Sequence, residues 1–146
     1  GYQTVSIVMV RDGHYRAHIA DWVVALEASF VRKAAARRLE NVHLEIRIIG
    51  HSATLAELEN ASGSGCEVGV MAIFTSPSQS RSTEAAKLLN PDLLHLPLTP
   101  HEPMPTFAFP FSPPEMERGA LYEFCLHHTL TLDDPMSAFW LDTIES

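Results

Sequence analysis

"VHLEIRIIG", residues 42–50, is the stretch whose pattern decides the fold. Val42, Leu44, Ile46 and Ile48 fall on one face of an extended chain, and His43, Glu45 and Arg47 fall on the other. Side chains alternate across a strand, so this period of two marks a strand with one covered face and one wet face. Such a strand suits an antiparallel sheet. A doubly wound parallel sheet is buried on both faces and asks for continuous apolar runs instead.

The flanking segments extend this reading. Upstream, "TVSIVMV" (residues 4–10) is apolar and β-branched and ends at the Asp12-Gly13 turn signal, so it predicts a buried strand. Over residues 15–39, Ile19, Trp22, Val23, Leu26, Phe30 and Val31 recur at steps of three and four, which predicts an amphipathic helix. Its last turns carry Arg37 and Arg38, where the helix dipole favours cations. Downstream, residues 50–65 form a polar connection containing the flexible "SGSG". "EVGVMAIF" (67–74) predicts a third strand, and residues 79–89 a second helix. "PDLLHLPL" (91–98) is expected to be extended.

Seven of the ten prolines lie in residues 97–114, which excludes helix and central strand there. Phe107, Phe109 and Phe111 sit in that loop, and their aromatic rings are expected to pack on the body or to form an interface. After the loop, "ALYEFCLHHTLTL" (120–132) alternates again and predicts the last strand. The order strand, helix, strand, strand, helix, strand predicts one α+β domain over residues 1–146. Its expected form is a ferredoxin-like split βαβ sandwich: an antiparallel sheet with two helices on one face and a proline-rich aromatic loop before the last strand.

Composition narrows the partners. Eighteen acids against ten bases give a net charge of −8, which opposes nucleic-acid binding and anionic membrane surfaces. No apolar run reaches the roughly 20 residues needed to span a bilayer. Cys66 and Cys125 lie far apart with no zinc-ligand spacing, so no metal and no cofactor is expected; two unpaired thiols suit a reducing, cytoplasmic compartment. The chain starts with Gly rather than Met, which suggests a processed chain or a piece of a longer one.

Several segments carry a family resemblance: "GYQTVSIVMVRD", "EVGVMAIFTSPSQ", "LLHLPL", "FAFPFSPPEMERGALYEF" and "HHTLTLDDP". In this order they resemble the C-terminal region of the acyclic terpene utilisation AtuA-type proteins. The most specific piece is the "AFPFSP" loop followed by "YEF" and "DDP". Ile73, Thr83 and Thr106 depart from the pattern, which places an acid, an Asn and an Asn in those regions. The resemblance implies an accessory or interaction domain, or a split small subunit, of an AtuA-type protein linked to catabolism of acyclic terpenes or related branched acids. Its partner would be a larger catalytic domain or subunit, or a second copy. The alternatives are a hydratase or lyase acting on a branched acid or its CoA thioester, and a sensor of small anions.

Candidate chemistry is sparse. His127 and His128 are adjacent, so on a strand they point to opposite faces and do not chelate one metal. His128, on the face of Phe124, Leu126 and Leu130, is an acid/base candidate, as are His14 and Asp12 at the first strand–helix junction. His14, His18 and Asp21 share one helical face, a spacing that a metal site could use but that fits a solvated helix start better. Ser78, Ser80 and Arg81, before and within the start of the second helix, form an anion-binding candidate; Ser at such a position also serves as an ordinary cap.

Overall fold

The computed structural model describes residues 1–51, 65–122, 131–134, 136 and 139. In chain order the elements are β1 (Tyr2–Val10), α1 (Gly13–Ala17), α2 (Ile19–Arg37), β2 (His43–Ile49), β3 (Val68–Ser76), α3 (Gln79–His95) and β4 (Met116–Ala120). The four strands form one antiparallel sheet in the order β2-β3-β1-β4. The fold is therefore α+β, with a four-stranded antiparallel sheet and three helices among the described residues.

Alternation builds the sheet's covered face. Val8 and Val10 of β1 and Val68, Val70, Ala72 and Phe74 of β3 are buried beneath the helices. Onto them α2 lowers Ile19, Trp22, Leu26, Phe30 and Ala34, and α3 lowers Ala85, Ala86, Leu89 and Leu93. Each large apolar side chain buried this way contributes about 1.5–3 kcal/mol. Asp92 of α3 locks the helix layer by accepting from Ser29 Oγ and from Lys33 Nζ, both at 2.7 Å.

Four local expectations are corrected. The first helix is two: it breaks at His18, whose φ of −115° is not helical, giving α1 and α2. The second helix does not stop before Pro91 but runs on to His95. Leu89 and Leu93, both fully buried, anchor it on either side of the proline, so packing outweighs the lost backbone bond. Residues 91–95 are thus helical rather than extended. The fourth strand begins at Met116, inside what the sequence presents as connection. Here Gly119, at φ +76°, absorbs a register shift opposite Gln3 and Thr4 that a side chain would resist. Most of the alternating run at 120–132 lies outside the described residues.

The proline-rich segment is pinned at three points. Phe107 N–H donates to Leu94 O, Met9 N–H donates to Ala108 O, and His95 Nδ1 lies 2.9 Å from Pro105 O. It therefore runs past the C-terminal half of β1, beyond the end of the β1–β4 pairing.

Candidate functional site

Pinning that segment beside β1 leaves a cleft of about 940 Å³. Its size falls in the range of roughly 300–1,000 Å³ usual for small-molecule sites. One wall comes from the end of β1 and the start of α1: Met9, Arg11, Asp12, His14 and Tyr15. The other is the segment from Glu102 to Ala108, and Glu67 closes one side. Met9, Met104, Phe107 and the flanking prolines make most of the lining apolar, with a few polar groups converging on it.

The floor is rigid. Phe107 packs edge-on against Tyr15 and Trp22, with ring centroids 5.0 and 5.1 Å apart. Trp22 is fully buried and donates its Nε1–H to Leu96 O at 2.9 Å. Tyr15 accepts from the Leu98 N–H at 3.2 Å. Burial pushes the Tyr15 phenol above its ordinary value, with the Glu102 and Asp12 carboxylates acting in the same direction and the Leu98 hydrogen bond opposing them. The phenol is thus kept neutral.

His14 and Glu102 meet across the cleft, Nε2 to Oε1 at 3.3 Å, although 88 residues separate them. His14 is half-exposed and Glu102 more covered. The second Glu102 oxygen, Oε2, is buried and lacks a hydrogen-bond partner among the described residues. The Arg11 side chain likewise has no ion pair or hydrogen bond among the described residues. Asp12 is differently placed: its Oδ1 accepts from the His14 and Tyr15 N–H groups at 2.9 and 3.1 Å, so it caps α1.

No family model, no curated protein and no solved structure matches this chain. The residues themselves therefore carry the functional argument.

Of the residues singled out in the sequence, the fold brings Asp12, His14 and Phe107 to one cleft. Phe109 is half-buried against the core, and Phe111 is exposed. His128 lies outside the described residues. The His14 and His18 rings lie tilted against each other with centroids 5.0 Å apart, and His18 Nδ1 lies 3.6 Å from Asp21. Among the described residues no group of three or more His, Cys, Asp or Glu side chains is placed to hold a metal ion. Cys66 is exposed and unpaired, and no described helix is long and apolar enough to cross a membrane.

Ser78, Ser80 and Arg81 stand apart from the cleft. Arg81 donates to the Glu40 carbonyl at 3.0 Å, which ties its guanidinium to the end of the α2–β2 connection. Ser78 Oγ and Ser80 Oγ lie 3.4 Å apart, and Ser78 makes no side-chain cap bond. Instead Ser76 Oγ bonds to the Ser78 backbone.

Sequence reasoning missed Arg11, Tyr15 and Glu102. Arg11 follows a strand and Tyr15 begins a helical stripe, so each has an ordinary reading. Glu102 stands in a proline-rich run with no periodicity, and only the fold places it against His14.

Proposed function

We propose that the chain is a ligand-binding accessory domain of an AtuA-type protein, and that the cleft between β1 and residues 102–108 receives a small, mainly apolar molecule with one polar end. The sheet order β2-β3-β1-β4 fits the ferredoxin-like split βαβ arrangement expected of it. The observation that carries the functional reading is the co-location of Arg11, unpaired among the described residues, and the His14–Glu102 pair with a wall of Met9, Met104 and Phe107. A branched aliphatic carboxylate matches that lining: its chain lies on the apolar wall and its carboxylate pairs with Arg11. Arginine suits this role because its fork donates two parallel hydrogen bonds to a carboxylate.

A second reading rests on the same pair. A carboxylate beside an imidazole orients the ring and supports proton transfer, the arrangement a hydratase or lyase needs. In that reading His14 is the acid/base group and Glu102 holds it, while Asp12, committed as a cap, keeps the ring's backbone in place. Citronellate, a branched terpene carboxylate, tests both readings. Calorimetric binding that weakens about tenfold in Arg11→Ala, the loss expected for one charge-assisted contact, supports the first. Conversion of its unsaturated CoA thioester, abolished in His14→Ala, supports the second. Absence of binding by wild type would overturn the ligand-binding reading.

A further inference from the structure

The edge of the sheet farthest from the cleft is β2. Among the described residues it pairs with β3 alone, so its outer backbone groups face away from the sheet. Such an edge is a template for a further strand. Natural edges are guarded by proline, bulges or inward charges, and β2 contains neither a proline nor a register shift.

We propose that β2 pairs antiparallel with β2 of a second copy of this chain, across a two-fold axis normal to the sheet at Ile46. Three observations converge on this occupant. A two-fold normal to the sheet keeps each side chain on its own face, so residue i opposes residue j only when their sum is even. Glu45 and Arg47 already pair within each strand, Nε to Oε1 at 2.6 Å, and centring on Ile46 sets this pair beside its symmetry copy, with Glu45 opposite the partner's Arg47 and Arg47 opposite the partner's Glu45. Opposite charges directly across an antiparallel pair attract, and like charges repel. Centring on Glu45 or on Arg47 would instead oppose each to its own copy. The Ile46 register is therefore selected over its neighbours by charge.

The second observation is on the covered face. The same register places Leu44 opposite Ile48 and Ile46 opposite itself, and these side chains are only half-buried in one chain. The third lies above them. A groove of about 290 Å³ runs between α2 and β2, lined by Phe30, Val31, Val42 and Leu44. Val24 and Val31 stand 64% and 66% exposed on α2. Continuing the sheet across the two-fold brings the two α2 helices side by side and antiparallel. An isologous interface requires self-complementarity, which the Glu45–Arg47 register supplies. The cleft lies beyond the opposite side of β1 and stays open, so the pairing stands or falls independently of the ligand.

Light scattering on the full chain after size exclusion provides the test. The expected mass is that of two chains at tens of micromolar. Arg47→Glu, which opposes Glu45 to a partner Glu, should weaken association at least tenfold and yield one-chain mass with unchanged circular dichroism. Glu45→Arg combined with Arg47→Glu restores opposite charges in the same register and should restore the pair. Val31→Glu should also weaken it. A one-chain mass for wild type at every concentration, or a pair indifferent to Arg47→Glu, would overturn the proposal. So would a double swap no better than the single reversal, which would point to a different partner surface.

Discussion

Two clusters of polar side chains lie against β1, one near each end, and they differ in how completely they are satisfied. Near the start of β1, Gln79 binds three elements at once. Its Nε2 donates to Thr4 Oγ1 at 2.8 Å and to Gln3 O at 3.2 Å, and its Oε1 accepts from Gly119 N–H at 3.1 Å. Thr4 Oγ1 also lies 2.9 Å from Ser82 Oγ, and Thr83 donates to Glu117 at 2.7 Å. This seam joins β1, α3 and β4, and Thr4 and Ser82 are fully buried within it. At the other end of β1 the polar groups line open space, and Arg11 and Glu102 Oε2 lack partners among the described residues. The contrast separates polar groups closed within the fold from those open to solvent, where water or, in the proposed function, a ligand completes their hydrogen bonds. A closed network serves structure, because its members need nothing further; an open one still has hydrogen bonds to make.

The comparison breaks most visibly at the seam. Gln79→Leu keeps the bulk but leaves the Gly119 N–H unpaired and removes one hydrogen bond each from Thr4 Oγ1 and Gln3 O. It should cost about 2–3 kcal/mol, the penalty for stranding buried polar groups, read as a lower urea midpoint. Ligand binding in the cleft should be unchanged in the folded protein. Phe107→Ala attacks the cleft's floor instead. Removing a half-buried ring from Tyr15 and Trp22 should cost about 2 kcal/mol, below the range for a fully buried phenylalanine, and should also weaken ligand binding. Glu102→Gln keeps the shape but removes the charge. Its effect on stability should stay within about 0.5 kcal/mol, as for exposed pairs, whereas any proton transfer through His14 should fall with an altered pH profile.

The smallest effect is expected in alkali. The folded state holds the Tyr15 phenol above its ordinary value of 10.0, so it keeps a proton that the unfolded chain gives up first. Between those two values the unfolded state binds fewer protons, and stability must fall as pH rises. Below about pH 10 the contribution is intact. Tyr15→Phe should therefore lose less stability than wild type as pH is raised above about 10, measured by urea unfolding at matched ionic strength.

The same contrast explains what the sequence disclosed. β2 and α2 announce themselves because their buried faces repeat at the period of the element, and β1 and β3 because they are short, continuous, β-branched apolar runs. The β4 sequence "MERGA" carries no such pattern: it is short, lies at an edge, and owes its place to β1 and to the Gln79–Gly119 bond. The extension of α3 past Pro91 depends on Leu93 finding the core, a tertiary fact that local propensity opposes. In the cleft, His14 and Asp12 were visible as polar residues at a strand–helix junction. Glu102 was not, because nothing local distinguishes it, and its meaning comes from the crossing of the proline-rich segment over β1. The polar seam was hidden for a similar reason. Gln79, Ser82 and Thr83 look like the polar start of a helix, yet they face β1 and β4.

The central claim is that the open cluster is the ligand site and the closed one is not. Calorimetric titration of citronellate into wild type, Arg11→Ala and Gln79→Leu, each at a temperature where it is folded, tests this directly. Saturable binding by wild type, weakened about tenfold in Arg11→Ala and unchanged in Gln79→Leu, is the predicted result. Equal affinity in wild type and Arg11→Ala, or no binding by either, would contradict it.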